Sequence, residues 1–323
     1  MKLSELVTFS SPLERPLHFL ALELAVLACT ALVLAHAIAR YRAGDRRHLF
    51  QWLVITSYGV QMELLAFNFL DNYAHAEFTV QLYGGQLPLY VTGLYGSFLY
   101  TGLKVAERMG VHPVAEALLA GFVMFLIDVP FDIAGVALGW WTWMDTDPVL
   151  AYRWLGVPVT SYYWYLAFGA VAAGLCRLAW PRLEGRPFAV AAGLALVAGS
   201  LVIVFGVLAF LPFHGLHALG MSHGALVALH AAVCVALAFL LRGTPTRAHP
   251  LIVAVVGILP GAMIAVMLAC ALDGALSDPW LRLGASVAAL LGLAALLRVL
   301  PLRRAASAPS VPVPRAHAEA PAE

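Results

Sequence analysis

Charged residues are scarce in this 323-residue chain, because Asp, Glu, Lys and Arg together make up only 11% of it. Soluble globular domains carry about 25% of these residues, so the composition excludes an ordinary soluble domain. Hydrophobic residues account for 62% of the sequence, and the mean hydropathy is +0.86. These values are typical of a protein that crosses a membrane several times. The net charge of +1 gives no support for nucleic-acid binding.

Cysteine is also scarce, and no two cysteines are spaced as a motif. The four present are Cys29, Cys176, Cys234 and Cys270, and each stands alone in an apolar run. Neither a disulfide framework nor a thiolate metal site is therefore expected, and the cysteines are interpreted as small buried hydrophobic residues. The N-terminal residues lack a basic region leading into an apolar run, so no cleaved signal peptide is expected.

Long hydrophobic runs are what the chain has in abundance. A helix needs about 20 mostly apolar residues to cross a bilayer. Nine segments qualify, at 16–39, 48–72, 86–108, 111–139, 158–180, 187–212, 222–242, 249–274 and 279–300. The sequence thus predicts an all-α, multi-pass transmembrane bundle as a single domain over 1–301. Residues 302–323 are rich in Ala and Pro, and a disordered cytoplasmic tail is expected there.

The basic residues predict the orientation of this bundle. Fifteen of the 19 Lys and Arg residues fall in loops on one side of the predicted membrane. The other side has only Lys2, Arg15, Arg153 and Arg282. Because Lys and Arg favour cytoplasmic loops, we expect the N-terminus outside and the C-terminus inside. A bacterial inner (plasma) membrane is the expected location.

Acidic residues inside the predicted helices are the first candidates for function. Asp128 and Asp132 are four residues apart, so a helix places both carboxyl groups on one face. Glu63 lies about 22 Å from the inner end of the second segment at 1.5 Å per residue. Ionisable groups at this depth cost a few kcal/mol each, and they usually face a cavity or a partner.

A polar stripe is predicted to follow Glu63 along the same helix. Asn68, Asp71 and His75 fall within one narrow arc if the helix continues through them. We therefore expect a pocket in the outer half of the membrane, walled by the second, fourth and fifth segments. Its candidate catalytic residues are Asp128, Asp132, Glu63 and Asp71. The alternative is that acids near helix ends only cap those ends or pair with Arg153.

Aromatic residues are concentrated next to the aspartate pair. Such a block is often an interfacial belt, but it would also suit a wall that stabilises a cation through its ring faces. The candidate substrate-binding residues are Asn68, Trp140, Trp141, Trp143, Tyr163 and Trp164.

Histidines offer a second kind of chemistry. Imidazoles with carboxylates are suited to Zn or Fe, and the candidate ligands are His75, Glu77, His214, His217 and His223. No HExxH spacing is present. The main prediction is therefore a protein without a cofactor, and a metal-dependent lipid hydrolase or desaturase is the alternative.

Residues 125–166 resemble the bacterioruberin-type carotenoid hydratases, an integral membrane family of carotenoid biosynthesis. The resemblance consists of an Asp-x3-Asp pair, a Trp-x-Trp element and a Gly-Val-Pro step into an aromatic-rich helix. The matching positions are Asp128, Asp132, Trp141, Trp143, Gly156, Val157, Pro158 and Trp164. The chain departs from that pattern at Ile133, where the family has Pro, and at Tyr162-Tyr163, where it has Asn-Phe. The Trp-Trp-Thr-Trp block also resembles one in an uncharacterised multi-pass family.

The resemblance implies an enzyme that hydrates or cyclises a polyene by acid catalysis. Asp128 or Asp132 would protonate a terminal double bond, and the other aspartate or Glu63 would stabilise the cation. The substrate would be a membrane lipid or isoprenoid. A multi-pass transporter or a non-catalytic membrane protein, with the acids as a relay, is the remaining alternative.

Overall fold

The computed structural model describes residues 6–146, 148–183, 185–241 and 246–298. The predicted cytoplasmic tail therefore lies outside the described residues.

The described residues form nine helices of 18 to 26 residues and one short helix. They are α1 Leu17–Arg42, α2 Arg47–Leu65, α3 Leu89–Glu107, α4 Pro113–Ala137, α5 Val159–Leu183, α6 Phe188–Ala209, α7 Leu211–Ala218 (the short one), α8 His223–Leu240, α9 Pro250–Leu272 and α10 Pro279–Arg298. Each long helix lies on one of the nine predicted segments.

Six helical stretches are long and apolar enough to cross a membrane. They are Leu17–Arg42, Arg47–Leu70, Pro113–Ala137, Phe188–Ala218, Pro250–Leu272 and Pro279–Leu297. The mostly helical, multi-pass character of the protein is therefore confirmed. Nine crossings, and the orientation of the two ends, stay predictions.

Helix α4 is the centre of the bundle. Its most apolar 18 residues are 83% buried inside the protein, against 28–39% for the other five membrane candidates. It packs on α3, α5, α8, α9 and α10, as expected for a helix that is apolar on nearly all sides. Pro113 at the first turn and the His112 side chain, which accepts a hydrogen bond from the Val114 amide, begin the helix. The aspartate pair thus belongs to the most enclosed of these six stretches.

Helices α4 and α5 approach closely through glycine. A Cβ atom at Gly121 of α4 would collide with the Leu166 carbonyl oxygen of α5. Gly169 of α5 faces Gly121 in return. Small residues at such a crossing let two backbones come together. As a result, the polar and aromatic side chains at the start of α5 lie against the aspartates of α4.

Short strands cover the end of the bundle where α2 and α4 finish. Strand β2, Tyr73–His75, pairs antiparallel with β5, Trp141–Trp143, so that His75 is opposite Trp141. The other strands are β1 Val7–Phe9, β3 Val80–Leu82, β4 Leu87–Pro88, β6 Arg153–Trp154 and β7 Val157–Pro158. β1, β3 and β4 form one antiparallel sheet, and β6 and β7 form another.

The prediction of a polar stripe along the second helix is wrong, because this helix does not continue to His75. Helix α2 ends at Leu65, and one π-helical turn follows at Ala66–Leu70. Asp71 then adopts a left-handed conformation with φ 46°, which stops a helix. Asn68, Asp71 and His75 therefore do not share one helical face, and β pairing fixes the position of His75.

Candidate functional site

A cavity of about 370 Å³ lies beneath the β2–β5 pair, between helices α2 to α6. Two acidic side chains, Glu63 and Asp132, reach its surface from α2 and α4. Most of the wall is aromatic. The aromatic lining residues are Tyr73, Tyr90, Tyr95, Phe131, Trp141, Trp143, Trp164, Tyr165, Phe168 and Phe210.

Glu63 forms a polar side of the cavity with two partners. Its side chain is buried, and the Tyr95 hydroxyl donates a 2.7 Å hydrogen bond to Oε1. Nε2 of His75 lies 3.3 Å from Oε2, which permits a hydrogen bond or an ion pair. Nδ1 of His75 is buried and has no hydrogen-bond partner among the described residues. Strand β2 thus supplies an imidazole to an acid that α2 carries.

Tyr73 stands two residues before His75 and faces the same site. Its ring packs edge-on against Trp143 and His75, with centroids 5.3 Å away in both cases. Burial raises the pKa of Tyr73 well above its usual value, and the charge of Glu63 raises it further. The phenol therefore keeps its proton and can donate a hydrogen bond beside the Glu63 carboxyl group.

The aspartate pair occupies the opposite wall. Asp132 is 3% exposed, and the Ser161 hydroxyl donates a 2.7 Å hydrogen bond to its Oδ2. Asp128, one turn earlier, is fully buried behind the cavity surface and interacts with Asp132 and Tyr165. Neither Asp128 oxygen has a hydrogen bond of good geometry among the described residues. The four-residue spacing does bring the two carboxyl groups together on one face of α4.

The ring faces around the cavity are held by stacking and hydrogen bonds. Trp164 and Phe168 stack with centroids 4.0 Å apart and planes 4° apart. The Trp164 indole N–H donates a 2.8 Å hydrogen bond to the Tyr58 hydroxyl. Phe131 stacks on Trp141 at 4.9 Å. These contacts fix the orientation of the aromatic wall.

Besides Asp128, four of the predicted catalytic and substrate-binding residues do not line the cavity. Asn68 and Asp71 are exposed. The Asn68 side-chain oxygen accepts a 2.9 Å hydrogen bond from the Tyr83 hydroxyl, and the Asp71 backbone carbonyl accepts a 3.2 Å hydrogen bond from the Thr146 hydroxyl. Trp140 is fully buried and its indole N–H donates to His18.

Tyr163 is the fourth residue that lies away from the cavity. Its ring packs against Phe213, with centroids 4.4 Å apart, and its hydroxyl donates to the Ala209 carbonyl at 3.4 Å. Its contacts are those of a packing residue.

The candidate metal ligands are separated. His75 and His214 line the cavity, Glu77 pairs with Arg15 on the surface, and the rings of His217 and His223 meet at 4.1 Å. Within the described ranges, no group of three His, Cys, Asp or Glu residues is placed to hold a metal ion. The Zn or Fe alternative stays a prediction.

Sequence reasoning missed the hydroxyl groups of the site. Tyr73, Tyr95, Ser161 and Tyr165 all line the cavity. Tyrosine and serine in apolar helices are usually packing residues, so single positions carry little signal. The four-residue spacing of Ser161 and Tyr165, which places both on one face of α5, is the signal that was present.

Among the comparisons with known proteins, one found a match, and that match covers this whole site. No curated protein and no solved structure matches the chain. A family model described as a domain of unknown function, DUF7802, matches residues 10–248, which include every residue that lines the cavity. The chain belongs to the DUF7802 family.

Proposed function

We propose that this protein is an integral membrane enzyme of lipid or isoprenoid metabolism, which hydrates or cyclises a carotenoid-like polyene by acid catalysis. The observation that carries the proposal is the cavity itself, in which Asp132, backed by Asp128, faces a wall of fixed aromatic rings. A sheltered carboxyl group supplies a proton, and the rings stabilise the cation that results.

The cavity is suited to a substrate that arrives from the bilayer. Leu70, Val207 and Leu211 line it and are 42%, 55% and 62% exposed. Exposed apolar side chains of a membrane bundle contact lipid tails. An apolar substrate can therefore enter sideways between the end of α6 and the π-helical turn, without crossing water.

The size of the cavity indicates what part of a substrate it holds. Ligand cavities measure about 300–1,000 Å³, so 370 Å³ is near the lower end of this range. A long polyene would insert one end group and leave the rest of its chain in the bilayer. Reaction at a terminal double bond is consistent with this arrangement.

The aspartate pair would perform the proton transfer. In an apolar environment two adjacent carboxyl groups are suited to sharing one proton. In the proposed reaction this proton adds to an alkene carbon, and a tertiary cation forms at its neighbour. Water then bonds to the cation and returns a proton to the carboxylate. In a cyclisation an internal alkene captures the cation, and an adjacent C–H bond loses its proton instead.

The opposite wall would stabilise the cation. Ring faces attract positive charge, and Trp141, Trp143 and Trp164 present three indoles. Glu63, held by Tyr95 and His75, would provide the counter-charge. The two acidic groups then have separate roles on separate walls.

The membrane arrangement completes the proposal. All nine long helices would cross the bilayer, with the N-terminus outside and the C-terminus inside the cell, as the distribution of Lys and Arg favours. The cavity would then lie in the outer half of a bacterial inner membrane.

A comparison of lipid and pigment extracts tests the proposal. Cells with and without the protein are extracted, and isoprenoids and polar lipids are measured by mass spectrometry. A polyene that gains the mass of one water, or shifts to an isomer, is the expected result. Altered acyl lipids with unchanged isoprenoids would instead favour the metal-dependent hydrolase or desaturase. No change in either class would contradict lipid chemistry and favour transport or a structural role.

A further inference from the structure

A second cavity, of about 780 Å³, lies at the opposite end of the bundle. It opens where α2 and α6 begin, beside the turn that joins α1 to α2. Three arginines line it: Arg46, Arg47 and Arg186. The chemistry proposed for the first cavity uses none of these residues.

Two helix N-termini face this cavity together. Arg47 begins α2 and Phe188 begins α6, and both residues line it. The two helices run side by side in the same direction, since their first residues share this cavity and Gly199 packs on the backbone of Tyr58, each eleven positions after the start of its helix. The first N–H groups of a helix generally lack intrahelical partners, and the positive ends of both dipoles favour an anion. The Arg47 amide is already taken by Asp45.

The guanidinium groups are available to a ligand. Arg46 and Arg186 are exposed, and neither takes part in an ion pair within the part of the chain that the structure describes. Arg47 reaches Glu107 only at 3.6 Å, and its side chain is 37% exposed. The planar fork of arginine matches two oxygens of a phosphate at once.

Among the described residues that line the cavity, the one acidic side chain is Asp45, and it already has partners. Arg40 Nη2 lies 3.1 Å and His48 Nε2 3.2 Å from its Oδ2, and the Arg47 amide donates to its Oδ1. Burial favours protonation of Asp45, but the Arg40 hydrogen bond and the nearby positive charges outweigh it and lower its pKa. Asp45 thus remains charged and is neutralised by Arg40, and it does not pair with Arg46 or Arg186.

We propose that this cavity binds a phosphate group, carried either by an anionic phospholipid headgroup or by a free phosphate compound. Trp180 lines the same cavity, and indole rings favour the depth of lipid headgroups. In the proposed orientation the cavity is on the cytoplasmic side, where anionic lipids attract basic residues.

The test uses the full chain purified in detergent. Binding of phosphatidylglycerol and of inorganic phosphate is measured by titration, with and without the other probe present. Arg46→Gln with Arg186→Gln removes the two exposed cations, and Arg46→Lys with Arg186→Lys keeps the charge but not the planar, two-pronged guanidinium group. Arg182→Gln is the matched control, because Arg182 is an exposed arginine of α5 that bonds its own helix at Leu178 and does not line the cavity.

The double Gln variant is expected to weaken binding by about tenfold or more, since two charge-assisted hydrogen-bonding groups are lost. The double Lys variant is expected to fall between it and the wild type, and Arg182→Gln is expected to bind like the wild type. Lipid binding that inorganic phosphate does not displace identifies a headgroup site, whereas competition identifies a site for free phosphate as well. Equal binding by the wild type and the double Gln variant, or no binding of either probe, would overturn the proposal. The same unfolding temperature for all variants shows that the losses are not due to misfolding.

Discussion

The indole ring of Trp141 packs directly on the Cα atom of Gly135. A Cβ atom at this position of α4 would overlap with the ring. Gly135 comes one turn after Asp132, so the absence of a side chain there lets Trp141 lie beside the aspartate and line the cavity. The absence of a side chain at Gly135 thus allows the Trp141 ring to take its place in the aromatic wall.

Gly135→Ala is expected to displace Trp141 and to damage the site. Overpacking of this kind costs about 1–3 kcal/mol of stability, and product yield is expected to fall because the ring leaves its position. Thermal unfolding in detergent and mass spectrometry of the product measure the two effects. Gly174→Ala on α5 is the control, because an added methyl group there meets no atom within 4 Å. Equal behaviour of the two variants would contradict the role of this contact.

Tyr95→Phe is expected to destabilise the protein, and Tyr90→Phe is not. The Tyr95 hydroxyl donates to the buried Glu63 carboxyl group at 2.7 Å, and loss of a partner for a buried acceptor costs about 1–3 kcal/mol. The Tyr90 hydroxyl lines the same cavity but has no hydrogen-bond partner among the described residues, so its removal costs little. Denaturant unfolding of the two variants gives the difference. A Tyr95→Phe variant as stable as Tyr90→Phe would show that the Glu63 contact contributes nothing.

Glu107→Gln is expected to destabilise the inner end of the bundle by about 3–5 kcal/mol, because it leaves a buried ammonium group without its counter-charge. Lys104 is only 8% exposed, and its Nζ lies 2.7 Å from Glu107 Oε2. Glu77→Gln is the control, since it breaks the exposed pair with Arg15, and exposed pairs contribute about 0–1 kcal/mol. Unfolding free energies that are equally affected in both variants would contradict this account of Lys104.

The orientation of the bundle can be tested by cysteine labelling. Ala43→Cys lies in the turn after α1, and Thr142→Cys lies in β5; both positions are exposed. In the proposed topology an impermeant maleimide labels Thr142→Cys in intact cells, and it labels Ala43→Cys only after the membrane is opened. The native cysteines are buried or half-buried, so their own labelling is measured in the unmodified protein. The opposite labelling pattern would place the N-terminus inside.

The helices could be predicted from the sequence because each carries a long apolar run. The strands could not, since β2 and β5 contain three residues each and such short segments show no period. Their pairing joins His75 to Trp141 across 66 positions of the chain. A local sequence pattern cannot predict a pairing between residues so far apart. The helix predicted through His75 was wrong for this reason.

The site was predictable where its residues are costly to bury. Glu63 and Asp132 could be identified because carboxyl groups are rare inside membrane helices, and both line the cavity. Tyr95 and Ser161 could not, because their hydroxyl groups become part of the site only through contacts with Glu63 and Asp132 on other helices. Asn68 and Asp71 were placed by assuming a continuous helix, and the π-helical turn moved both to the surface.

The most direct measurement compares the products of the wild type with those of an Asp128→Asn and Asp132→Asn double variant in cells that supply isoprenoids. The wild type is expected to convert a polyene to its hydrated or cyclised form, and the double variant to lose about 100-fold or more of this conversion, the usual contribution of general acid catalysis. Asp145→Asn, at an exposed acid paired with Arg153, is expected to retain the wild-type yield, and equal protein levels in the membrane exclude a failure to fold. Normal conversion by the double variant would contradict the assignment of the acid to the α4 aspartates.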